Sequence, residues 1–268
     1  MTLVELDKWF QSLFTIDSFS SCDPSQNGVQ VENTAPNTKP ITKIAVAVDA
    51  CAETIRQAAL LHADLLFVHH GLFWKNNPLI TGIHYRRLSL LLQHDIALYA
   101  CHLPLDAHKT VGNNYGLAGM IGLQQIEPFG VWKGMAIGAK GRFSHPVSLD
   151  MLTDRLFPHG EKPLAVLPFG HTSKCLEEHS SNIKEIKTAA IISGSGGHEL
   201  TQAAAAGVDV YITGEIGHEN YHTALECGIH VIAGGHYYTE TIGVSLTAQK
   251  ITQDLGIETV FIDIPTGL

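Results

Sequence analysis

Two adjacent histidines, His69 and His70, end the apolar run LLFVHHGLFW at residues 65–74. Neutral imidazole is the commonest metal ligand among side chains. Neighbouring residues of a strand point to opposite faces, so such a pair rarely binds a single ion within the strand. Where the chain turns at a strand end the two can serve different ions, and Gly71 would permit the turn. The competing reading is a pair of partly buried, hydrogen-bonded histidines. A second polar group lies in CHLPLDAH (residues 101–108), where Asp106 can point inward and His102 or His108 could join it. A helix-capping role ahead of Ala107 is the alternative for Asp106. In VGNNYGLA, just downstream, Asn113 or Asn114 is expected to be an N-cap. A third group is GGHYYTET (residues 234–241). His236 and Glu240 share a face if a helix begins there, although the helix dipole favours an early glutamate without any ligand. Gly234 and Gly235 allow close backbone approach. Together these stretches offer three histidines and two carboxylates. Nitrogen and oxygen donors without thiolate suit Zn, Mn or Fe, with Mg at the hard end. Two ions bridged by a carboxylate would account for the number of donors and leave positions open for water.

The donors all fall just beyond expected strands. KIAVAVDACAETIRQAALLHADLLFVHHG, from Lys43, lies without a gap over TAAIISGSGGHELTQAAAAGVDVYITGEI, from Thr188. Both read as strand, short turn, helix, strand. Asp64 falls on Asp209, Gln57 on Gln202 and His70 on Glu215. The helical stretch YRRLSLLLQHD and the strand IALYACHLPLD follow the first copy; YHTALECG and IHVIAGGHYYTE follow the second. Each half is therefore expected to be βαβαβ, and parallel α/β sheets bind ligands outside the carboxyl ends of their strands. The fold class predicted is α/β, as two pseudo-duplicated lobes, 1–127 and 128–268, with the metal site in the cleft between them. Residues 230–268 would return ligands to that shared site. The intervening region, Gly130 to Lys187, is expected to hold a helix in SLDMLTDRLF and a strand in LAVLPFG. NTAPNTKP (residues 33–40) reads as an exposed loop.

Composition bounds the function. The chain has 268 residues, 45% hydrophobic and 16% charged, with a formal net charge of -9. That balance argues against nucleic acid on the outer surface. Cys22, Cys51, Cys101, Cys175 and Cys227 form no C-x-x-C pair, which fits reduced thiols in a cytoplasmic protein. The start, MTLVELDKWFQSLF, has acidic residues among its apolar ones and reads as an amphipathic helix rather than a signal peptide. Leu3, Leu6, Phe10 and Leu13 would share its buried face, and Thr2-x-x-Glu5 fits a capping box. No apolar run approaches a membrane span. There is no P-loop and no G-x-G-x-x-G; GSGG at 194–197 is a weak phosphate-cradle candidate.

LLFVHHGLFW, LYACHLPLDAHKTVGNNYGLA, YITGEIGHENYHTALECGIHVI and GGHYYTETIGV strongly resemble the Nif-three-like family, as does DPSQNGVQVE near the start. Bacterial members of that family carry the name GTP cyclohydrolase type 2 homologue. The resemblance covers nearly the whole chain. It implies a two-lobed α/β fold, a toroidal homohexamer, and two divalent ions per chain. It makes His69, His70, Asp106, His236 and Glu240 the metal ligands, Glu240 bridging, with His70 and Asp106 on one ion and His69 and His236 on the other. None of the five departs from the family pattern. Around them, Glu215, His102 and His222 are candidates to orient ligands or move protons, and Asn27 and Gln30 to face a substrate. The implied activity is hydrolysis, of a nucleotide ring in a GTP cyclohydrolase-like reaction, by metal-activated water. The rival activities are dinuclear phosphoester or cyclic-amide hydrolysis. The rival of another kind is a non-catalytic, metal-stabilised hexameric scaffold that binds a protein or nucleic-acid partner.

Overall fold

The structure is a computed structural model that describes residues 1–170 and 185–268; Cys175 lies outside the described residues. The chain folds as two compact units, Met1–Gly112 with Thr241–Pro265, and Asn113–Glu240 with Thr266–Leu268.

The first unit contains α1 (Leu3–Phe14), β1 (Gly28–Val31), β2 (Lys43–Asp49), α2 (Ala52–Leu60), β3 (Leu65–His70), α3 (Gly82–Gln93), β4 (Ala97–Ala100) and α4 (Leu103–Asp106). The second contains α5 (Asn113–Ile121), β5 (Gln124–Trp132), β6 (Met135–Val147), α6 (Leu149–Leu156), β7 (Ala165–Pro168), β8 (Ile186–Ile192), α7 (Leu200–Ala205), β9 (Val210–Thr213), α8 (His218–Cys227) and β10 (His230–Ala233). The chain then leaves the second unit within α9 (His236–Leu255), after Glu240, and β11 (Glu258–Phe261) completes the first.

In the first unit the strand order is β1-β4-β3-β2-β11, parallel except for β1. β3 is its centre, and Leu65 to Val68 are wholly inaccessible to solvent. The continuous apolar run is explained by a strand covered on both faces. One face carries Phe67, whose ring centre lies 5.1 Å from that of Phe10 on α1 and 5.8 Å from that of Tyr99 on β4. The other carries Leu66 and Val68, packed with Ile55 and Ala58 of α2 and Leu88 and Leu91 of α3. α1 begins with the expected capping box, Glu5 N–H donating to Thr2 Oγ1 and Thr2 N–H to Glu5 Oε2. It buries Leu3, Leu6, Phe10 and Phe14. Phe14 takes the place expected for Leu13, because the i+4 step from Phe10 holds the face where the i+3 step drifts off it.

In the second unit the order is β5-β6-β8-β9-β10-β7, and β8, β9 and β10 run parallel. The expected βαβαβ wiring is thus present in both sheets. The expected helix in SLDMLTDRLF is α6, capped by Ser148 Oγ, and the strand in LAVLPFG is β7. The division falls at Gly112 and Asn113 rather than at residue 127, and 241–265 belong to the first unit. Two interactions set these limits. Asn114 is no cap: its amide donates to Ile137 O on β6 and its Oδ1 accepts from Ser193 N–H after β8, which ties α5 to the second sheet. At the other end, β11 pairs in parallel with β2. No helix among the described residues is long and apolar enough to cross a membrane.

Candidate metal centre

The first unit gathers histidines where three parallel strands end. His69 is fully buried and His70 half-buried, and their ring centres are 4.6 Å apart. His102, two residues after β4, brings a third ring to 5.1 Å from His69 and 5.6 Å from His70. The three side chains offer ring nitrogens that all lie within 4.8 Å of one another.

Each ring is held by an oxygen at Nδ1. His69 Nδ1 donates to Cys101 O at 2.9 Å, and a carbonyl can only accept, so this tautomer is fixed. His70 Nδ1 lies 2.9 Å from Asp49 Oδ1, its register partner at the end of β2. His102 Nδ1 lies 2.8 Å from Asp23 Oδ1. Hydrogen-bonding Nδ1–H to carboxylate or carbonyl oxygen is how proteins orient imidazole for an ion at Nε2. Asp106, buried at the end of α4, places Oδ1 3.6 Å from His69 Nε2. The short helix thus ends on the carboxylate and does not begin at it, so the capping role is not taken.

Gly71 is needed for space rather than for an unusual turn. A Cβ there would come within 2.6 Å of Ala100 Cβ and 2.3 Å of Gln30 Oε1. Gln30 is spent on this loop. Its Oε1 accepts from Leu72 and Phe73 N–H, and its Nε2 donates to Gln26 and Phe73 carbonyls. Asn27 is likewise engaged, with Nδ2 donating to Asp23 and Oδ1 accepting from His102 N–H. Both residues thus brace this loop. His108 is also structural: Nε2 donates to Leu13 O, while Nδ1 accepts from Val111 N–H. Burial lowers its pKa.

The second unit presents a different group. His236 and Glu240 open α9 and share its face as the spacing predicts, with His236 Nε2 3.2 Å from Glu240 Oε1. Glu215, two residues past β9, receives His236 Nδ1 at 2.5 Å and Ser195 Oγ at 3.1 Å. It holds the ring as Asp49 and Asp23 hold theirs. Burial opposes a charge on His236, but the hydrogen bond and charge of Glu240, and then those of Glu215, push its pKa up to about 9. Two carboxylates thus favour a positive charge at this point, and the donor set fits a cation as well as a proton. Gly194, at φ +60°, leaves room for Glu240: a Cβ there would stand 2.3 Å from Oε1. Gly235 takes φ +97°. Gly196 and Gly197 are packed, their carbonyls receiving Tyr211 Oη and Asn220 Nδ2. His222 is exposed on α8 with its ring against Tyr221.

Sequence reasoning missed Asp49, Asp23 and Ser195. Asp49 carries a signal, since it ends β2 as His70 ends β3. Asp23 stands in DPSQNG, the same short stretch that holds Asn27.

The model of the DUF34/NIF3 (NGG1p interacting factor 3) family matches residues 1–267. A protein of Treponema pallidum named GTP cyclohydrolase 1 type 2 homolog is 45% identical over the full length of both chains. One of the same name from Pyrococcus abyssi is 39% identical over 98% of each. The crystal structure of TTHA1606 from Thermus thermophilus superposes with a TM-score of 0.86, at 39% identity and covering 100% of both chains. The histidine-bearing strand ends, the two sheets and the full-length matches lead to one assignment: the chain belongs to the DUF34/NIF3 family.

Proposed function

We propose that the chain is a metal-dependent hydrolase, with two divalent ions held by donors from His69, His70, Asp106, His236 and Glu240. The observation that carries this reading is the fixing of every candidate imidazole at Nδ1 by an oxygen acceptor. A core histidine needs only one satisfied nitrogen; a set of them, oriented alike at strand ends beside buried carboxylates, is what a metal site requires. Zn, Mn or Fe suit these donors better than Mg. Such ions supply Lewis acidity and lower the pKa of water towards ~7, which gives a nucleophile at neutral pH. The protein's own part is to fix the rings, His69 on Cys101 O, His70 on Asp49 and His236 on Glu215. The substrate class is a small molecule with a hydrolysable ring or ester. The relatives' name supports a nucleotide ring as in a cyclohydrolase, and a phosphoester is the alternative. A homohexamer in the cytoplasm belongs to the same proposal, and the mass in solution tests its assembly.

Elemental analysis of wild type and His69→Ala/His70→Ala, with hydrolysis of GTP and a phosphoester panel after Mn, Fe or Zn loading, tests the function. About two ions per chain, lost in the variant, with metal-dependent turnover of any one compound, is the expected result. Bound ions with no turnover would favour the scaffold reading. No bound metal after loading would overturn the proposal.

A further inference from the structure

The chain carries 17 lysines and arginines against 26 aspartates and glutamates. One cavity in the second unit runs against that balance. It has a volume of about 350 Å³ and lies near the start of β8, beside the turn that leads from α7 into β9. Lys140 and Arg142 both line it. They are alternate residues of β6 and so share one face of the sheet. Thr188, the register partner of Arg142 on β8, and the turn at 206–208 complete this wall.

The edge strand beside them is shaped to leave this space. Gln124 and Glu127 of β5 pair with Arg142 and Lys140, so β5 spends one residue more than β6 over the same interval. That is a β-bulge, a device that re-aims side chains at sheet edges. Gln125, within the bulge, also lines the cavity and takes φ +51°, a left-handed conformation that a residue with a side chain seldom adopts. Gly141 permits the close approach of the two strands, since a Cβ there would stand 2.8 Å from Gln124 O. Glu127 Oε1 holds Lys140 Nζ at 3.1 Å. Arg142 is exposed and has no carboxylate partner among the described residues. A guanidinium fork left unpaired in a concave site, next to an ammonium group, is suited to receive an oxyanion by two parallel hydrogen bonds.

We propose that this cavity is a second binding site, which takes the phosphate or carboxylate group of a small molecule, with Arg142 as its anchor and Lys140 as the supporting cation. Lys140 and Arg142 against Glu127 leave one net positive charge on the wall, which fits a small anion and not a polyanion. The volume falls within the range of about 300–1,000 Å³ that small-molecule sites occupy, so the ligand extends beyond its anionic group. The site is separate from the metal centre: β8 carries the chain roughly 20 Å from Thr188 to Gly194, which lies against Glu240. The inference therefore does not depend on the metal-binding reading.

Calorimetric titration of the full-length protein with inorganic phosphate, and separately with succinate, tests the site. Both anions are expected to bind, and the tighter one names the anionic group. Arg142→Gln, checked by its thermal melt, is expected to weaken binding on the order of 10-fold. Glu127→Gln frees Lys140 and removes a negative charge, and is expected to strengthen binding about 3-fold. Lys133→Gln, on the exposed turn between β5 and β6, changes net charge as Arg142→Gln does and is expected to leave affinity within about 2-fold. His69→Ala/His70→Ala is expected to bind as wild type does. Binding of neither anion would overturn the inference. Equal losses in Arg142→Gln and Lys133→Gln would overturn it by showing a general effect of charge. Loss in His69→Ala/His70→Ala with none in Arg142→Gln would overturn it by moving the anion to the metal centre.

Discussion

The two sheets begin alike and end differently. Where β2 and β3 start, Asp64 Oδ2 accepts from Thr42 N–H, Thr42 Oγ1 and Lys43 N–H. Where β8 and β9 start, Asp209 Oδ2 accepts from Lys187 N–H, Thr188 N–H and Thr188 Oγ1. The backbone of each aspartate also joins neighbouring strands: Asp64 N–H donates to Lys43 O and Ala97 N–H to Asp64 O, as Asp209 N–H donates to Thr188 O and His230 N–H to Asp209 O. The opposite ends share no such device. One presents three imidazoles anchored on Cys101 O, Asp49 and Asp23; the other presents one imidazole between two carboxylates. The starts therefore read as a common solution to aligning parallel strands, and the ends as chemistry laid on the same scaffold.

That contrast can be broken or sharpened by substitution. The largest effect is expected from His236→Ala/Glu240→Ala, which should remove at least one ion per chain by elemental analysis. The metal-free variant should unfold no more easily than wild type, since a buried carboxylate is costly to keep charged without a partner cation. Next comes Gly194→Ala. The added Cβ meets Glu240 Oε1 at a left-handed backbone position, so metal affinity should fall about 10–100-fold and stability by roughly 1–3 kcal/mol, read by metal titration and urea unfolding. Asp64→Ala and Asp209→Ala should each cost about 1–3 kcal/mol in urea unfolding through lost hydrogen bonds, with metal content unchanged. Loss of metal from either would show that strand starts and ends are not separable. His222→Ala, on an exposed helix face, should shift stability by less than about 0.5 kcal/mol and leave metal content as in wild type.

The sequence by itself determined the strand–helix alternation, the placing of polar residues beyond strand ends, and the i,i+4 pairing of His236 with Glu240. These are local: they depend on apolar periodicity and on spacing within one element. Tertiary structure decided which polar residues meet. Asp49 and Asp23 reach His70 and His102 from 21 and 79 residues away, through strand register and a loop, which no local pattern reports. It likewise set Asp106 beside His69, turned Asn27 and Gln30 into braces, and left His222 outside the group. A hydrogen bond needs its two atoms within about 3 Å, and only the packing of distant segments sets that distance.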